Sequence, residues 1–222
     1  AMLLSGAYPC HNGVFNQIHV PESVHPDMFE DVVTYSQRLI DAGYSASYTG
    51  KWHASSFRTA ADFGYEVIPV PEGPQPDLTE SQYVSWPGSE PFLMWGTRSG
   101  EIEDSWEYRL GMAASEKIET LAGEEAPWLF EVHFPQPHDP YLPFQQYLER
   151  YDPKTVELPA SYYEETFANK PDLTEREAAC WNELSEEQFR EGRRHYFAYC
   201  EQLDYCIGEV LNALDSSGEA DN

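Results

Sequence analysis

The strongest constraint on the fold is a pattern that occurs twice, in which a helix ends at a glycine and a short apolar strand comes next. The first helix ends at Gly43 and leads into an aromatic-rich strand, 44–49. The second, at about 104–121, ends before Gly123 and leads into the apolar run 127–134, which has the length of a central parallel strand. Helices and strands that alternate in this way predict an α/β fold with a mainly parallel sheet sandwiched by helices.

A lysine and a histidine come after the first strand, two residues apart, in the sequence Gly50-Lys51-Trp52-His53. In an extended chain, residues two apart face the same side, so Lys51 and His53 would face one ligand while Trp52 packs inward. Gly50 permits a tight exit from the strand and a close approach of backbone. Lysine is scarce, in a chain with 39 Asp+Glu against 13 Lys+Arg. Two interpretations stay open, an anion-binding site and a surface lysine beside a strand-end histidine.

The loop after the second strand, 135–143, carries a histidine among four prolines. The prolines restrict the backbone, which suits a histidine that has to be positioned. Ligands of open α/β sheets bind beyond the carboxyl ends of the strands, so we expect Lys51, His53 and His138 to converge on one edge. A purely structural histidine is the alternative for His138. His133, inside the strand, is assigned to packing.

The chain is strongly acidic, with a net charge of -26. Such a surface repels nucleic acid phosphates and anionic lipid, so we expect neither nucleic acid nor a membrane as a partner, and no oligomeric state is predicted. Abundant carboxylate with little lysine resembles the surfaces of proteins from high-salt cytoplasm; the alternative is an acidic face that only keeps the protein soluble. No bilayer-spanning apolar run or signal segment is visible. The expected location is the cytoplasm of a halophile, or outside the cell with the signal missing.

The four cysteines, at 10, 180, 200 and 206, are predicted to be free thiols. They form no Cys-x-x-Cys pair, and Cys200 and Cys206 are six residues apart on a predicted helix, where they face different directions. A zinc site is therefore not expected.

Two proline-marked stretches, 60–103 and 147–171, are predicted to lack long regular elements. Aromatic side chains in or beside the first stretch either line a pocket for a ring-shaped substrate or act as buried staples under a long loop: Trp86, Phe92, Trp95 and Trp106.

Helices 34–43, 174–184 and 185–215 are each predicted to begin with a capping box, a Ser or Thr with Glu or Gln three residues later. The last of these carries a core-facing apolar stripe, formed by Phe189, Tyr196, Tyr199, Leu203, Ile207, Val210, Leu211 and Leu214.

Four segments together resemble the sulfatase family of the alkaline-phosphatase-like superfamily. Residues 1–13 (AMLLSGAYPCHNG) are similar to the segment directly after the family's Cys/Ser-x-Pro-Ser-Arg signature, although the Leu-Thr-Gly-Arg turn reads Leu-Ser-Gly-Ala here. Residues 42–53 resemble the family's segment that runs from Gly-Tyr to Gly-Lys-Trp-His. Residues 127–143 resemble the family's Pro-Phe-Phe strand and the Pro-His-x-Pro-Tyr loop that follows it. Residues 203–222 resemble the long helix before the family's metal-binding strand.

The resemblance implies an alkaline-phosphatase-like fold and hydrolysis of an anionic substrate, a small-molecule or glycan sulfate ester. In the family a formylglycine, made from the signature Cys or Ser, attacks sulfur beside a divalent cation, usually calcium. Lys51 and His53 match the family lysine and histidine that hold the sulfate and the formylglycine hydroxyls. His138 matches the histidine near the bridging oxygen, which binds the ester and assists the leaving group.

The chain also departs from the family pattern. The nucleophile would lie before Ala1, and the metal ligands would lie further upstream or after Asn222, so no metal ligand is assigned in this sequence. We therefore expect 1–222 to be the central part of a single sulfatase catalytic domain, truncated at both ends and inactive by itself. Two alternatives stay open: a phosphate or phosphonate ester hydrolase of the same superfamily, and a non-catalytic fragment that binds an anionic glycan or a partner protein.

Overall fold

The computed structural model describes residues 1–20 and 23–221. The chain divides into two compact units, and each is assembled from separate stretches of sequence. The first unit comprises Ala1–Glu72, Arg109–Pro135 and Glu209–Asn222, and the second comprises Gly73–Tyr108 and Gln136–Gly208. Lys51 and His53 therefore belong to the first unit, and His138 belongs to the second.

The described residues contain eight α-helices and three short 3₁₀ helices. The α-helices are α1 (Met2–Ser5), α2 (Pro9–Asn12), α3 (Tyr35–Asp41), α4 (Trp106–Leu121), α5 (Gln145–Leu148), α6 (Ala160–Glu164), α7 (Asp172–Ala178) and α8 (Glu186–Ser217). The 3₁₀ helices are Ala60–Phe63, Ile102–Asp104 and Ala179–Trp181. The helices predicted at 34–43, 104–121 and 185–215 are confirmed as α3, α4 and α8.

Five strands lie in the described residues. They are β1 (Ser45–Gly50), β2 (Glu66–Val67), β3 (Leu78–Val84), β4 (Phe92–Arg98) and β5 (Trp128–His133). In the first unit, β1, β2 and β5 form a parallel sheet in the order β2-β1-β5. The parallel sheet is confirmed, but β5, the strand predicted at its centre, pairs on one side only among the described strands. The middle strand is β1, which has four consecutive buried residues where β5 has one.

Strands β3 and β4 form an antiparallel hairpin in the second unit. The prediction that 60–103 lacks long regular elements is therefore wrong for these two seven-residue strands. The prolines fall before β3 and in the turn between the strands, where a missing N–H does not interrupt the ladder. The second proline-marked stretch, 147–171, contains only short elements, as predicted.

Two of the three predicted capping boxes are confirmed. The side chains of Thr34 and Gln37 exchange hydrogen bonds with each other's backbone N–H at the start of α3. Ser185 and Gln188 do the same at the start of α8, at 2.9 and 3.2 Å. The third prediction is wrong, because α7 begins at Asp172 after Pro171, which places Thr174 inside the first helical turn.

The predicted core stripe of α8 is only partly correct. Tyr199 and Leu203 are buried, whereas Tyr196, Ile207 and Leu211 are exposed. The buried face also carries small and polar residues that hydrophobic spacing does not detect: Gly192, His195, Ala198, Gln202 and Cys206. As predicted, Cys10, Cys180, Cys200 and Cys206 form no disulfide. Within the part of the chain that the structure describes, no helix combines the length and apolar character needed to cross a bilayer.

Candidate functional site

The backbone of Lys51 is fixed at the carboxyl end of β1. Its N–H donates a hydrogen bond of 2.8 Å to the carbonyl oxygen of His133, the last residue of β5. Its own carbonyl oxygen accepts a 2.6 Å hydrogen bond from the hydroxyl of Tyr48. Both polar groups of the Lys51 backbone are thereby satisfied by the sheet, so the side chain projects from a defined backbone position rather than from a free loop.

Gly50 makes this arrangement possible. Its φ angle is +100°, which residues with side chains rarely adopt, and a Cβ atom at this position would lie 2.1 Å from the carbonyl oxygen of His133. That carbonyl oxygen is the acceptor for Lys51 N–H. The expectation that Gly50 permits a close approach of backbone is therefore confirmed.

A chain of polar side chains runs behind Lys51. The hydroxyl of Tyr48 lies 2.7 Å from Nδ1 of His133, and Nε2 of His133 lies 3.0 Å from Oε2 of Glu131. The other carboxylate oxygen of Glu131 accepts hydrogen bonds from the hydroxyls of Tyr35 and Tyr65. Glu131 is 8% exposed and Tyr48 is 1% exposed, whereas 38% of the His133 side chain is exposed, so water reaches the network at the histidine.

His133 joins Tyr48 to Glu131 through its two ring nitrogens. The hydroxyl of Tyr48 donates to the carbonyl of Lys51. A carboxylate only accepts, so the short contact between His133 and Glu131 places a proton on Nε2 of His133.

The pKa values in the network follow from burial and from this pairing. Burial raises the pKa of Glu131, but hydrogen bonds from His133, Tyr35 and Tyr65 outweigh burial, and the pKa lies below its usual value. Burial, with the hydrogen bond to the negative Glu131, raises the pKa of Tyr35 to about 12. Burial and the charge of Glu131 also raise the pKa of Tyr48, so its hydroxyl stays protonated and continues to hold Lys51.

Sequence reasoning missed this network, because it assigns His133 to packing. The network could have been predicted from Glu131 and His133, two ionisable residues separated by one position in an otherwise apolar strand. Period-2 geometry places both side chains on one face of β5, and the register puts Tyr48 opposite Glu131. Packing alone does not explain a buried carboxylate that contacts a half-buried histidine.

Trp52 and His53 differ in their surroundings. Trp52 packs against the first unit's core, at 5.3 Å from the Tyr48 ring centroid, and its Nε1–H donates to the carbonyl of Arg58 at 2.8 Å. Its predicted inward orientation is confirmed. His53 is exposed and stacks on the ring of His19, with 4.7 Å between centroids. His19 is thus a further imidazole beside the predicted site that sequence reasoning did not select.

In the second unit, His138 is well exposed, with 59% of its side chain accessible. Its Nδ1 lies 2.8 Å from the carbonyl oxygen of Asp139 and 3.2 Å from a carboxylate oxygen of the same residue. Two acceptors at Nδ1 require a proton there, which leaves Nε2 as the reactive ring nitrogen. Nε2, on the other side of the ring from Asp139, is the nitrogen that His138 can present to a ligand.

A buried ion pair anchors the start of the His138 loop. Arg98 and Glu107 form a salt bridge and are 8% and 1% exposed. Gln136, two residues before His138, donates to Glu107 at 3.2 Å. A buried pair held by further hydrogen bonds is costly to break, so this end of the loop is rigid.

The other end of the loop is anchored by the same cluster and by β4. Arg98 Nε donates to the carbonyl of Leu142, and Gln202, which also donates to Glu107, accepts the backbone N–H of Phe144 at 2.9 Å. Tyr141 exchanges backbone hydrogen bonds of 2.8 and 3.1 Å with β4. The sequence prediction of a stiff loop rests on prolines, whereas the structure adds this buried cluster.

The three predicted residues are described in two units, Lys51 and His53 in the first and His138 in the second. Their convergence on one ligand stays a prediction. Among the described residues, no group of three or more His, Cys, Asp or Glu side chains is placed to hold a metal ion. The calcium that the resemblance implies was assigned ligands outside 1–222, so it stays a prediction.

The chain matches a family of known proteins along its whole length. The sequence model of the sulfatase family matches residues 1–222. The chain is 26% identical to the uncharacterized sulfatase YidJ of Escherichia coli (strain K12), in an alignment covering 93% of this chain and 44% of YidJ. It is 25% identical to the choline-sulfatase of Rhizobium meliloti (strain 1021), covering 96% of this chain and 43% of that protein. The chain thus spans less than half the length of these relatives.

Solved structures share the fold. The phosphonate monoester hydrolase from Silicibacter pomeroyi superposes with a TM-score of 0.65 at 17% identity, covering all of this chain and 50% of that chain. The structure of BT4656 in complex with its substrate D-glucosamine-2-N,6-O-disulfate superposes with a TM-score of 0.56 at 16% identity, covering 99% and 52%. The predicted α/β fold with a parallel sheet of the alkaline-phosphatase-like type is confirmed.

Proposed function

The chain belongs to the sulfatase family, and we propose that the complete protein hydrolyses a sulfate monoester at a site that includes Lys51, His53 and His138. The observation that carries this proposal is the fixed position of Lys51 at the carboxyl end of the middle strand. Ligands of open α/β sheets bind at that edge. A rigidly held cation there is suited to a tetrahedral anion.

Lys51 would bind the sulfate oxygens. The charge of a sulfate ester redistributes toward the leaving oxygen during hydrolysis, and a preorganised cation stabilises that change without reorganisation. Within the described residues no carboxylate pairs with the Lys51 ammonium, so its charge is available to a ligand. In a chain of net charge -26, such local cations are what makes a site attractive to an anion.

The two histidines would have different roles. His53, exposed and stacked on His19, would donate hydrogen bonds to the sulfate and to the attacking group. His138, with Nδ1 engaged by Asp139, would donate the Nε2 proton to the leaving oxygen.

Formylglycine and calcium are further parts of the proposal. The sequence 1–222 has no Cys/Ser-x-Pro-Ser-Arg segment, so we assign both the nucleophile and the metal ligands to residues outside this chain. We also propose that the substrate is an anionic small molecule or glycan; the sugar disulfate bound by the structural neighbour BT4656 supports the glycan class. The acidic surface is proposed to reflect a high-salt environment.

A second candidate function is hydrolysis of phosphate or phosphonate esters. The observation in its favour is the likeness to the phosphonate monoester hydrolase, whose TM-score of 0.65 exceeds the 0.56 of the sugar-disulfate complex. A tetrahedral phosphonate would use the same cation and histidines, so the fold alone does not separate the two reactions.

The test uses the protein expressed from its complete reading frame, together with a formylglycine-generating enzyme. Sulfate release from a set of sulfate esters is measured with calcium at high salt. We expect turnover that Lys51→Ala lowers by at least about 100-fold, as for loss of one charge-stabilising donor. The control is Lys154→Ala, an exposed lysine in the second unit, which should leave turnover unchanged.

Other outcomes assign the protein differently. Cleavage of phosphonate esters without sulfate release would favour the second candidate. Binding of sulfated sugars without any turnover would favour a non-catalytic role. Full sulfatase activity in Lys51→Ala would remove this lysine from the site.

A further inference from the structure

A small cavity in the second unit has no role in the site described above. Its volume is about 270 Å³, near the lower end of the range for ligand pockets and suited to a single ring. Six aromatic side chains line it: Trp95, Tyr141, Trp181, Phe189, Tyr196 and Phe197. They come from β4, the end of the His138 loop, the 3₁₀ turn after α7, and α8.

The cavity has a buried floor and aromatic walls. Trp95 is 3% exposed and lies against Gly192 of α8, where a Cβ atom would be 3.0 Å from its ring. Around it, Tyr141 and Tyr196 meet edge to face at 5.2 Å between centroids, and Trp181 and Phe189 lie 5.7 Å apart. Rings in these orientations offer both faces and edges, to which the C–H groups of a sugar or an aromatic ring can pack.

A single cation lines this apolar cavity. The guanidinium of Arg193 lies 5.2 Å from the ring centroid of Phe197, and its Nε is buried without a hydrogen-bond partner. Within the described residues, Arg193 pairs with no carboxylate. Six other arginines each do so: Arg58, Arg98, Arg150, Arg176, Arg190 and Arg194. A guanidinium that lines an apolar cavity without a carboxylate partner can form a charge-assisted contact with an anionic ligand.

The charge of the cavity discriminates between ligand classes. Aromatic cages that bind quaternary ammonium groups rely on attraction between a cation and ring faces. Here the lining holds a guanidinium and no carboxylate, so it repels a cationic ligand such as choline. A ring that carries a negative group can pack on the same walls and pair with the charge of Arg193.

We propose that this cavity binds the leaving group of the substrate, a sugar ring that carries a second anionic group, sulfate or carboxylate, in contact with Arg193. The inference rests on the proposed function. It also rests on chain connectivity, because the wall residue Tyr141 is only three residues after His138, and three peptide units span at most ~11 Å. A ring seated against Tyr141 is therefore close to the histidine assigned to the leaving oxygen.

The test compares two probes that differ by one anionic group, glucosamine 6-sulfate and glucosamine 2-N,6-O-disulfate. With the complete protein, Arg193→Gln should lower kcat/KM for the disulfate by about 10- to 100-fold, the effect of losing one charge-assisted contact, and change the monosulfate little. Arg193→Lys, which keeps the charge, should recover part of the loss. The control Arg176→Gln alters an exposed arginine and should change neither.

Direct binding separates failure of this inference from failure of the proposed function. Calorimetry with the disulfate is carried out on the wild type and on Arg193→Gln, whose fold is checked by its thermal unfolding curve. Disulfate binding that Arg193→Gln weakens, with no sulfate release by the wild type, would support the cavity and overturn the proposed function. Sulfate release that Arg193→Gln changes equally for both probes, or for neither, would overturn the cavity assignment and leave the function intact.

Discussion

The backbone N–H of Lys51 donates a hydrogen bond of 2.8 Å to the carbonyl oxygen of His133, so the ends of two neighbouring parallel strands are locked together. Lys51, the lysine proposed to bind an anion, is thereby positioned by His133 of the neighbouring strand as well as by its own turn. The polar network behind it, from Tyr48 through His133 to Glu131, supports the same peptide.

Replacing Gly50 by alanine should destabilise the protein by about 2–4 kcal/mol. A residue with a side chain is strained at φ +100°, and the new Cβ would overlap the carbonyl of His133. Denaturant unfolding of the complete protein measures the effect. Gly208→Ala in α8 is the matched control, since no atom lies within 4 Å of its Cβ position and alanine favours a helix. Equal stability of the two variants would contradict the assigned role of Gly50.

Removing the hydroxyl of Tyr48 should reduce both stability and activity. Tyr48→Phe leaves the Lys51 carbonyl and His133 Nδ1 without their partner, at a cost of about 1–3 kcal/mol, and loosens the lysine. Tyr65→Phe removes a hydrogen bond to Glu131 from the same network but none to Lys51. We expect Tyr48→Phe and Tyr65→Phe to have similar unfolding free energies, but Tyr48→Phe to lose more kcat/KM. Equal losses of kcat/KM in the two variants would mean that the network serves stability only.

Acid should weaken the contribution of Glu131. Its pKa in the folded protein is below the ordinary value of 4.5, so its ionised form favours folding. That stabilisation is complete above pH 4.5 and is lost as the pH falls through the lower, folded value. The test measures the unfolding free energies of the wild type and of Glu131→Gln from about pH 3 to about pH 7, a range that spans the usual titration of a carboxyl group. The two free energies should converge at the acidic end. A constant difference would show that ionisation of Glu131 is not involved.

Replacing His138 by alanine should affect substrates according to their leaving groups. An alkyl or sugar sulfate needs a proton on the leaving oxygen, whereas an activated aryl sulfate does not. We expect a loss of about 100-fold or more in kcat/KM for the former and a much smaller loss for the latter. Equal losses would indicate that His138 binds the ester without donating a proton.

Salt should stabilise this protein. Its net charge of -26 makes the folded state repel itself, and screening lengths fall from about 10 Å at 0.1 M salt to about 3 Å at 1 M. The unfolding midpoint should rise when KCl is increased over this range. Sucrose, which favours compact states without screening charge, is the control. A midpoint that does not respond to KCl would remove the high-salt interpretation.

Local signals predicted much of the fold. The capping residues of α3 and α8, the glycine that ends α3, and the apolar content of β1 and β5 all lie within or beside the elements they specify. Gly50 is recognised for the same reason, because the need for an unusual backbone conformation is a property of one residue. The hairpin of β3 and β4 escapes prediction, since proline content says little when the prolines fall outside the paired residues.

The candidate site was predictable in its residue types but not in its support. The motifs around Lys51, His53 and His138 are short and contiguous, so the sequence displays them directly. Three features depend on which distant segments meet: the contacts of His133 with Tyr48 and Glu131, the buried pair of Arg98 and Glu107, and the place of Arg193 beside the aromatic cavity. The Tyr48–His133 hydrogen bond joins residues 85 positions apart, and the Gln202–Glu107 bond joins residues 95 apart.

Sequence patterns were sufficient to predict the order of the main helices and of the parallel strands β1 and β5, the glycine exit before Lys51, the acidic surface and the likeness to sulfatases. These come from local backbone preferences, from hydrophobic periodicity and from charge, which are read from neighbouring residues. Three features emerge only when the chain is folded: β1 lies in the middle of the parallel sheet, Glu131 contacts His133, and a cation lines an aromatic cavity. The physical reason is that strand register and side-chain packing couple residues far apart in the chain, and local propensity does not encode those pairings.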